Sequence, residues 1–289
     1  MNKKKFKLIS ICSLFVLLFS LIGCSDKSSS AGEDSTNKEV SVSYINIGKG
    51  DAILVQVDNK NYLIDTGLEE QSEVLLNALE TKGVDKIEGL FVTHTHKDHI
   101  GGVNAVANAY DIDKMYRAEI SENKKNGENK IDNLASENFL PLVKLKAGDK
   151  VELADGVYFD VLGPLVLNED DDNDNSLVMK LMINGRTLLF TGDMQFAEEQ
   201  TLMDAGVDLS ADILKVGNHG NKDATSDEFA QAVSPEYSII STDTTVDTNS
   251  ASKRVRKALS ESTIYVTEEY EGGITFTILE NGDINITEF

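Results

Sequence analysis

Three of the four histidines of this 289-residue chain lie within six consecutive residues, His94-Thr95-His96-Lys97-Asp98-His99. The segment follows an apolar run from Ile87 to Val92. Imidazoles this close together repel one another when protonated and offer little apolar surface for packing, so the usual reason for such a cluster is a shared cation. The segment therefore predicts a metal site at the end of a buried strand.

The spacing within the cluster favours two ions over one. On an extended stretch His94 and His96 project to the same side, whereas Asp98 and His99 follow at a bend and can reach a second position. Neutral imidazoles and a carboxylate are typical ligands of zinc, iron or manganese. Two adjacent ions lower the pKa of bound water and stabilise both oxygens of a displacement. A histidine-rich surface loop and a closed structural zinc site remain open as alternatives.

The first residues have the composition of an export signal. Four lysines precede an apolar stretch from Leu8 to Ile22, which is short for a membrane span and typical of a signal-peptide core. It ends in Leu21-Ile22-Gly23-Cys24-Ser25, which resembles a bacterial lipobox and predicts lipidation of Cys24. The alternative is a plain secretion signal with an incidental cysteine. We expect a signal at residues 1–23, a flexible tether at 24–39 and one folded domain at 40–289.

The acidic charge balance restricts what the domain can attract. The chain has 49 Asp and Glu residues against 27 Lys and Arg, a formal net charge of −22. Such a surface repels polyanions at long range, so an anionic substrate would need the metal ions as its local attractor. The acidic run from Glu169 to Asp174 is interpreted as a solvated loop, because it lacks the glycine and the distal glutamate of a helix-loop-helix calcium site.

Short strands and helices alternate along the rest of the chain. The β-branched and apolar runs 40–47, 52–57 and 62–64 predict an antiparallel meander, and residues 70–82 predict a helix that packs on it. Further strands are expected at 87–92, 157–162, 177–183, 186–191, 213–216, 237–241, 263–266, 274–279 and 284–287, and further helices at 101–110, 196–204, 227–233 and 251–260. Two sheets covered by helices are the simplest architecture with this order.

Two more residues with metal-binding side chains follow predicted strands. Asp193 comes after the strand 186–191, and His219 comes after the buried strand 213–216. Ligands at strand ends beside a helix start are typical of layered α/β folds. Taken alone, Asp193 has the alternative of a turn residue that caps the following helix.

These segments occur in the order of a known family. Ile64-Asp65-Thr66-Gly67, the histidine cluster with Gly101-Gly102, Thr191-Gly192-Asp193 and the strand-end His219 resemble the metallo-β-lactamase superfamily over about residues 40–289. Within it, the segments 44–52, 175–178 and 214–220 are similar to the extracellular hydrolase domain of ComEC-type competence proteins.

The resemblance implies an α/β fold, a four-layer αββα sandwich with two divalent metal ions, Zn or Mn, at one edge of the sheets. It places His94 and His96 on the first ion and Asp98 and His99 on the second. Asp193 would lie between the two ions. Asp98 and Asp193 are the expected catalytic carboxylates. The implied metal ligands are His94, His96, Asp98, His99, Asp193 and His219.

Four residues are expected around the ligands: Asp65, Asn175, Ser176 and Asn218. Asp65 would orient the cluster as a hydrogen-bond acceptor, with a plain turn residue as its alternative. Many superfamily members carry a further histidine where this chain has Asn175 and Ser176, which implies an ion with an incomplete protein ligand set that phosphate oxygens can complete. The subgroup has two successive histidines where this chain has Asn218-His219, and glutamine is common at the position of Lys49.

The sequence thus predicts an exported, metal-dependent hydrolase, lipid-anchored on the extracellular face of the bacterial cell membrane. The expected reaction is phosphodiester cleavage, as in a nuclease, by a metal-bridging hydroxide. The expected partner is a phosphoester, DNA or a wall polymer, and no protein partner is predicted. Two alternatives stay open. One is an esterase for cell-wall phosphoesters such as phosphocholine, and the other is a surface binding protein that keeps the fold but has lost turnover.

Overall fold

The computed structural model describes residues 38–122 and 127–289, in which two large β-sheets carry most of the strands. The predicted signal, Cys24 and most of the predicted tether lie outside these residues. The strands are β1 (Val40–Ile45), β2 (Ile53–Val57), β3 (Lys60–Ile64), β4 (Lys86–Ile87), β5 (Gly89–Val92), β6 (Asp111–Ile112), β7 (Met115–Ala118), β8 (Leu142–Leu145), β9 (Lys150–Ala154), β10 (Val157–Gly163), β11 (Val178–Ile183), β12 (Arg186–Phe190), β13 (Ile213–Lys215), β14 (Tyr237–Ile240), β15 (Thr263–Val266), β16 (Gly273–Ile278) and β17 (Ile284–Glu288). The helices are α1 (Ser72–Thr81), α2 (Lys97–Ile100), α3 (Val103–Ala109), α4 (Lys130–Glu137), α5 (Phe196–Asp204), α6 (Asp227–Val233) and α7 (Lys253–Ala258).

The first sheet has eight strands in the order β17-β16-β1-β2-β3-β5-β7-β8. As predicted, β1, β2 and β3 form an antiparallel meander, whereas β3, β5, β7 and β8 run parallel. Successive side chains of a strand point to opposite faces. In β3, Leu63 therefore packs with the helices outside the sheet and Ile64 with the core between the sheets. Because β3 and β5 are parallel, the residues that follow them meet at one edge.

The second sheet has seven strands in the order β15-β14-β13-β12-β11-β10-β9. The hairpin of β11 and β12 turns at Asn184 (φ 49°) and Gly185 (φ 75°), the left-handed pair that a tight two-residue hairpin requires. From β12 to β15 the strands are parallel. The carboxyl ends of β12 and β13 precede Asp193 and His219, so this sheet also brings its polar residues to one edge.

Three apolar clusters separate four layers. The largest lies between the two sheets and contains the buried rings of Tyr44, Phe91, Phe159, Phe190 and Phe276. A second cluster packs α1, α3 and α4 on the first sheet, and a third packs α5, α6 and α7 on the second. The arrangement confirms the predicted αββα sandwich. No helix in the described part of the chain is long and apolar enough to cross a membrane.

Six elements were not predicted: β6, β7, β8, β9, α2 and α4. The helix α4 begins after Asn129, whose side chain accepts hydrogen bonds from the N–H groups of Ile131 and Asp132. It buries only Ile131 and Ala135, so its apolar period is too short to stand out in the sequence. In β7 the buried Arg117, paired with Asp132, interrupts the apolar pattern that a strand in a parallel sheet usually has.

Candidate metal centre

The first sheet delivers Asp65 and the histidine cluster to the shared edge. Asp65 follows β3 in a left-handed conformation (φ 58°), and its N–H donates to the carbonyl of Phe91 on β5. The cluster follows β5. His96 is the extended N-cap of the single helical turn α2, which carries Asp98 and His99. His99 is buried whereas His96 and Asp98 are partly exposed, so the cluster has an inner and an outer side.

The second sheet contributes Asp193 and His219 through unusual backbone conformations. Gly192 precedes Asp193 with φ 51°, and a Cβ at this glycine would lie 2.8 Å from the hydroxyl of Ser176. Only glycine allows so close an approach. His219 (φ 52°) and the preceding Asn218 (φ 43°) are both left-handed. Two such residues in succession are strained, and strain of this kind collects at functional sites.

The carboxylate of Asp193 lies at the centre of the predicted ligands. Its Oδ2 is 3.2 Å from His99 Nε2, 3.3 Å from His219 Nε2 and 3.9 Å from His94 Nε2. Ligand atoms about 2.1 Å from one ion lie roughly 3–3.5 Å apart, so the two shorter separations are those of atoms that share a cation. Two groups of ligand atoms, each within 4.8 Å of one another, share Asp193: His94, His96 and Asp193, and Asp98, His99, Asp193 and His219.

Hydrogen bonds fix the tautomers of His99 and His219. His99 Nδ1 lies 2.8 Å from Asp65 Oδ2, and His219 Nδ1 lies 2.8 Å from the carbonyl oxygen of Ser241. Both partners can only accept, so each Nδ1 carries the proton and donates. The lone pair of each neutral ring is then on Nε2, the atom that faces Asp193.

Thr93 fixes the tautomer of His94 in the same way. Its hydroxyl donates to Asp65 Oδ2 (2.7 Å) and its N–H donates to Asp65 Oδ1 (2.8 Å). Because the hydroxyl proton is used on Asp65, the oxygen accepts from His94 Nδ1 at 3.1 Å. Asp65 therefore orients His99 directly and His94 through Thr93, which agrees with its predicted role as an acceptor behind the ligands.

Several buried atoms at this edge lack hydrogen bonds. The Nε2 atoms of the three buried imidazoles and Oδ1 of Asp193 have no hydrogen-bond partner among the described residues. Each unsatisfied buried polar atom costs about 1–3 kcal/mol, which a bound ligand can offset. Imidazole nitrogens and carboxylate oxygens that converge in this way are the donor set that zinc and manganese accept in proteins. The residues therefore fit divalent metal ions.

The charges of the cluster point to the same need for a cation. Burial lowers the pKa of His94 well below its usual range, and the neighbouring His99 adds to this effect. Burial would also lower the pKa of His99 and His219, but the carboxylate of Asp193 outweighs it and raises both, to about 10 for His219. Burial would raise the pKa of Asp193, yet the two histidines hold it well below its usual range. Asp193 thus stays ionised beside positive charge, which the protonated imidazoles of His99 and His219 supply and which a bound cation would supply in their place.

Three residues expected around the ligands lie in different surroundings. Ser176 lies between two ligands: its hydroxyl accepts from the N–H of Asp193 (3.0 Å) and lies 3.4 Å from His94 Nδ1. The amide of Asn175 instead donates to Asp172 and to the carbonyl of Asn168. The amide of Asn218 donates to Asp223 at 3.2 Å. Of the pair Asn218-His219, the structure turns the histidine towards Asp193.

The acidic loop, Glu169 to Asp174, was predicted to be solvated, but two of its carboxylates are not. Asp172 and Asp174 are buried, at 5% and 4% exposure. Asp172 accepts from the N–H of Thr95, between two of the predicted ligands, at 2.8 Å. Asp174 accepts from the N–H of Gln195, two residues after Asp193, at 2.9 Å. The prediction was wrong for these two carboxylates because they satisfy the backbone of both metal-binding loops.

Asp51 and Lys215 were not among the predicted site residues. Asp51 Oδ2 lies 2.6 Å from the ammonium of Lys215, both side chains are 1% exposed, and Asp51 Oδ1 lies 3.7 Å from His219 Nδ1. The pair joins the two sheets behind the ligands. A signal for it was present, because Lys215 interrupts an otherwise apolar strand, and a charge in a buried strand requires an opposite charge nearby.

A family model described as the metallo-beta-lactamase superfamily matches residues 45–244. The chain belongs to this superfamily. The matched segment contains the histidine cluster, Asp193 and His219, so all six predicted ligands lie within it. Family, fold and ligand cluster together support a metal-dependent hydrolase with a divalent metal site.

The relatives place this metallo-β-lactamase protein among ComEC-like members, as the resemblance predicted. It is 31% identical over 225 residues to ComE operon protein 3 of Bacillus subtilis. The aligned residues cover 71% of this chain and 28% of that protein. It is 29% identical over 205 residues to Competence protein ComA of Neisseria gonorrhoeae, which covers 70% of this chain and 27% of that protein. The chain thus spans little more than a quarter of the length of these relatives.

A solved structure has the same fold. Igni18, a metallo hydrolase from the archaeon Ignicoccus hospitalis, superimposes with a TM-score of 0.51 at 16% identity, covering 87% of this chain and 99% of that one. At this identity the likeness shows the fold alone.

Proposed function

We propose that the protein is a phosphodiesterase of nuclease type that uses two divalent ions, Zn or Mn. The observation that carries the proposal is the convergence of three unpaired imidazole nitrogens on one carboxylate that belongs to both ligand groups. We call Asp98, His99, Asp193 and His219 the closed group, and His94, His96 and Asp193 the open group. Two ions that share a carboxylate ligand would be typical of enzymes that act on phosphoesters.

The open group supports a phosphate substrate. It has three protein ligands, and one of them, His96, is partly exposed. Ser176 stands where a further histidine would complete the group, and its hydroxyl is already used by the N–H of Asp193. Positions therefore remain for oxygens of a substrate. Divalent ions held here would activate water and stabilise the charge that develops on the phosphoryl oxygens.

The two predicted catalytic carboxylates have separate tasks. Asp193 belongs to both ligand groups and holds them at a fixed separation. Asp98 lies on the outer side, with its side chain 14% exposed. Burial would raise the pKa of Asp98, but the neighbouring charges of His99 and His219 hold that pKa below its usual range. Both carboxylates therefore remain charged at neutral pH and available to a cation.

Two observations bear on the identity of the phosphoester. Similarity to Exodeoxyribonuclease YycJ of Bacillus anthracis, 33% identical over 63 residues that cover 22% of this chain, favours DNA. The net charge of −22 opposes long-range capture of a polyanion and favours a small or wall-attached phosphoester, such as phosphocholine on a wall polymer. We keep both substrates in the proposal. A binding protein without turnover is not favoured, because His219 lies 3.3 Å from Asp193 although Asn218 stands where the subgroup has its first histidine.

Export and anchoring complete the proposal. The lysine-rich start, the apolar stretch and the lipobox-like segment before Cys24 support lipidation of this cysteine and retention on the extracellular face of the cell membrane. Labelling of cells with an alkyne fatty acid should mark the wild-type chain, and Cys24→Ala should lose the label and leave the membrane fraction. Equal labelling of both chains would refute the anchor.

The hydrolase proposal is tested with the full chain purified in detergent. Bound metal is counted by mass spectrometry, and turnover of bis-p-nitrophenyl phosphate and of single-stranded DNA is measured with Mn or Zn. The control is a double variant, His96→Ala with Asp98→Ala. We expect two ions and turnover that the double variant abolishes. One ion or none, with no turnover of either substrate, would favour the binding protein.

A further inference from the structure

Lys49 places a positive charge at the opening of the ligand cluster. It lies in the turn between β1 and β2, and its ammonium is 3.5 Å from Asp98 Oδ2 and 3.8 Å from Asp247 Oδ2. Its side chain is 34% exposed. Asp98 Oδ2 is itself 3.5 Å from His219 Nε2, so the ammonium lies just outside the closed group.

The backbone fixes this position. The flanking Gly48 (φ 72°) and Gly50 (φ 138°) have left-handed conformations. A Cβ at Gly50 would lie 2.6 Å from the carbonyl oxygen of Asp98, and the N–H of Asp51 donates to that same oxygen at 3.1 Å. The turn is therefore packed on the metal-binding loop, and the origin of the Lys49 side chain cannot move far from Asp98.

Asp247 is the second carboxylate beside the ammonium of Lys49. It lies between β14 and α7, and its side chain is only 13% exposed. Its N–H donates to the carbonyl of Asp243, its own carbonyl accepts from the N–H of Ser250, and its Oδ2 accepts from the amide of Asn221. These hydrogen bonds hold Asp247 in place. The ammonium of Lys49 therefore lies between Asp98, a predicted ligand, and Asp247.

An ammonium in this position has charge to offer a substrate. When the charge of Asp98 is engaged by a cation, Lys49 keeps one anionic contact, Asp247, and part of its surface faces the opening. Lysine presents three rotatable donors on a flexible stem and binds phosphate as a point charge. In a chain of net charge −22, a local cation at the opening is what an approaching phosphate needs.

We propose that Lys49 is a substrate-binding residue that donates to a non-bridging oxygen of the phosphate, with Asp247 as the positioning residue that keeps the ammonium over the site. This inference rests on the proposed phosphoester substrate and adds a residue that selects for a charged, oxygen-rich group. The competing role is purely structural, since Lys49 could serve only to balance the charge of Asp98. The two roles differ in what the removal of the charge does to anion binding.

The test measures binding of inorganic phosphate to the full, Mn-loaded chain by calorimetry, with the Mn affinity measured in parallel. Lys49→Met should weaken phosphate binding about tenfold or more while Mn binds as tightly as before or more tightly, because the lysine no longer competes for Asp98. Lys49→Arg, which keeps the charge, should stay within about threefold of wild type. Asp247→Asn should weaken phosphate binding about threefold. Lys253→Met, on the exposed start of α7, is the matched control and should change neither affinity.

Phosphate affinity of Lys49→Met within twofold of wild type would overturn the inference and leave Lys49 as the counter-charge of Asp98. A wild-type chain that binds Mn but no phosphate would overturn it as well. If circular dichroism shows that Lys49→Met does not fold, Lys49→Gln replaces it under the same criteria. The phosphate isotherm does not depend on turnover, so a wild-type chain that binds phosphate through Lys49 but cleaves no diester would refute the proposed function and keep this inference.

Discussion

The closed and open groups of the metal centre share Asp193 but differ in how completely the protein surrounds them. The closed group has four candidate ligands, and its imidazoles donate to strong acceptors, a carboxylate and a backbone carbonyl. The open group has three, and the Nδ1 of His94 is held only by hydroxyls at 3.1 and 3.4 Å. From this difference we infer that the closed group retains its ion, whereas the open group leaves room for a substrate.

The largest effect should come from the residue that both groups share. Asp193→Asn removes the charge next to three imidazoles, so we expect fewer than two ions per chain and a loss of turnover on the order of a thousandfold, which corresponds to about 4 kcal/mol of lost stabilisation. Asp283→Asn, on the exposed β16–β17 hairpin, is the control. Two ions and near wild-type turnover in Asp193→Asn would remove the basis for treating the groups as one centre.

Single-ligand variants should separate the two groups. His96→Ala should leave the closed group intact and retain one ion per chain, whereas His219→Ala should weaken the closed group. Turnover should fall roughly a hundredfold or more in both, because two ions are needed for the reaction. Metal content after extensive dialysis measures the asymmetry. If His219→Ala keeps its ions better than His96→Ala does, our assignment of the tighter group is wrong.

A smaller effect is expected from Asp65, which lies behind both groups. In Asp65→Asn an amide N–H faces donors from His99 and Thr93, which disturbs the tautomers of His99 and His94 together. Loss of such an outer partner typically weakens metal affinity 10- to 100-fold. Mn titration measures it, and Thr93→Val should affect mainly the open group, because Thr93 contacts His94 more closely than His99. Unchanged affinity in both variants would contradict the orienting role.

The smallest effect on the metal centre is expected from a buried carboxylate outside the two groups, whose ionisation changes the stability of the fold. Burial raises the pKa of Glu198, on α5, to about 7, whereas the ligand Asp193 keeps a pKa well below its usual range because histidines face it. Between pH 4.5 and 7 the folded chain therefore binds more protons at Glu198 than the unfolded chain does, and this residue makes the fold less stable as the pH rises.

Glu198→Gln keeps an acceptor for the N–H of Leu165 and removes this dependence. We expect the variant to gain roughly 2 kcal/mol relative to wild type between pH 5 and pH 8. Urea unfolding at both pH values with EDTA present measures the gain and keeps metal binding out of the comparison. A gain that is the same at both pH values would show that Glu198 does not titrate in this window.

The first half of the centre was easier to predict from the sequence than the second. His94 to His99 are contiguous, so one segment indicated four ligands without any knowledge of the fold. Asp193 and His219 stand alone in the sequence. Their positions after predicted strands marked them as candidates, and the order of segments in the family resemblance assigned them as ligands. The choice between Asn218 and His219 depended on two left-handed residues in succession, a conformation that side-chain chemistry does not predict.

The fold was predictable where periodicity was long and failed where burial was unusual. The meander and the helix α6 matched their predicted bounds closely, because apolar residues recur there over whole elements. The short α4 and the Arg117-containing β7 were missed. Asp51, Lys215 and Asp172 were missed as site residues because each is a charged side chain whose burial depends on a partner more than 70 residues away in the sequence.

The most direct measurement is anomalous diffraction from crystals of the chain grown with Mn. We expect two anomalous peaks about 3.5–4 Å apart. One should lie beside His94 and His96, the other beside His99 and His219, and both should be within coordination distance of Asp193. A single peak, or two peaks of which neither touches Asp193, would contradict the shared two-ion centre.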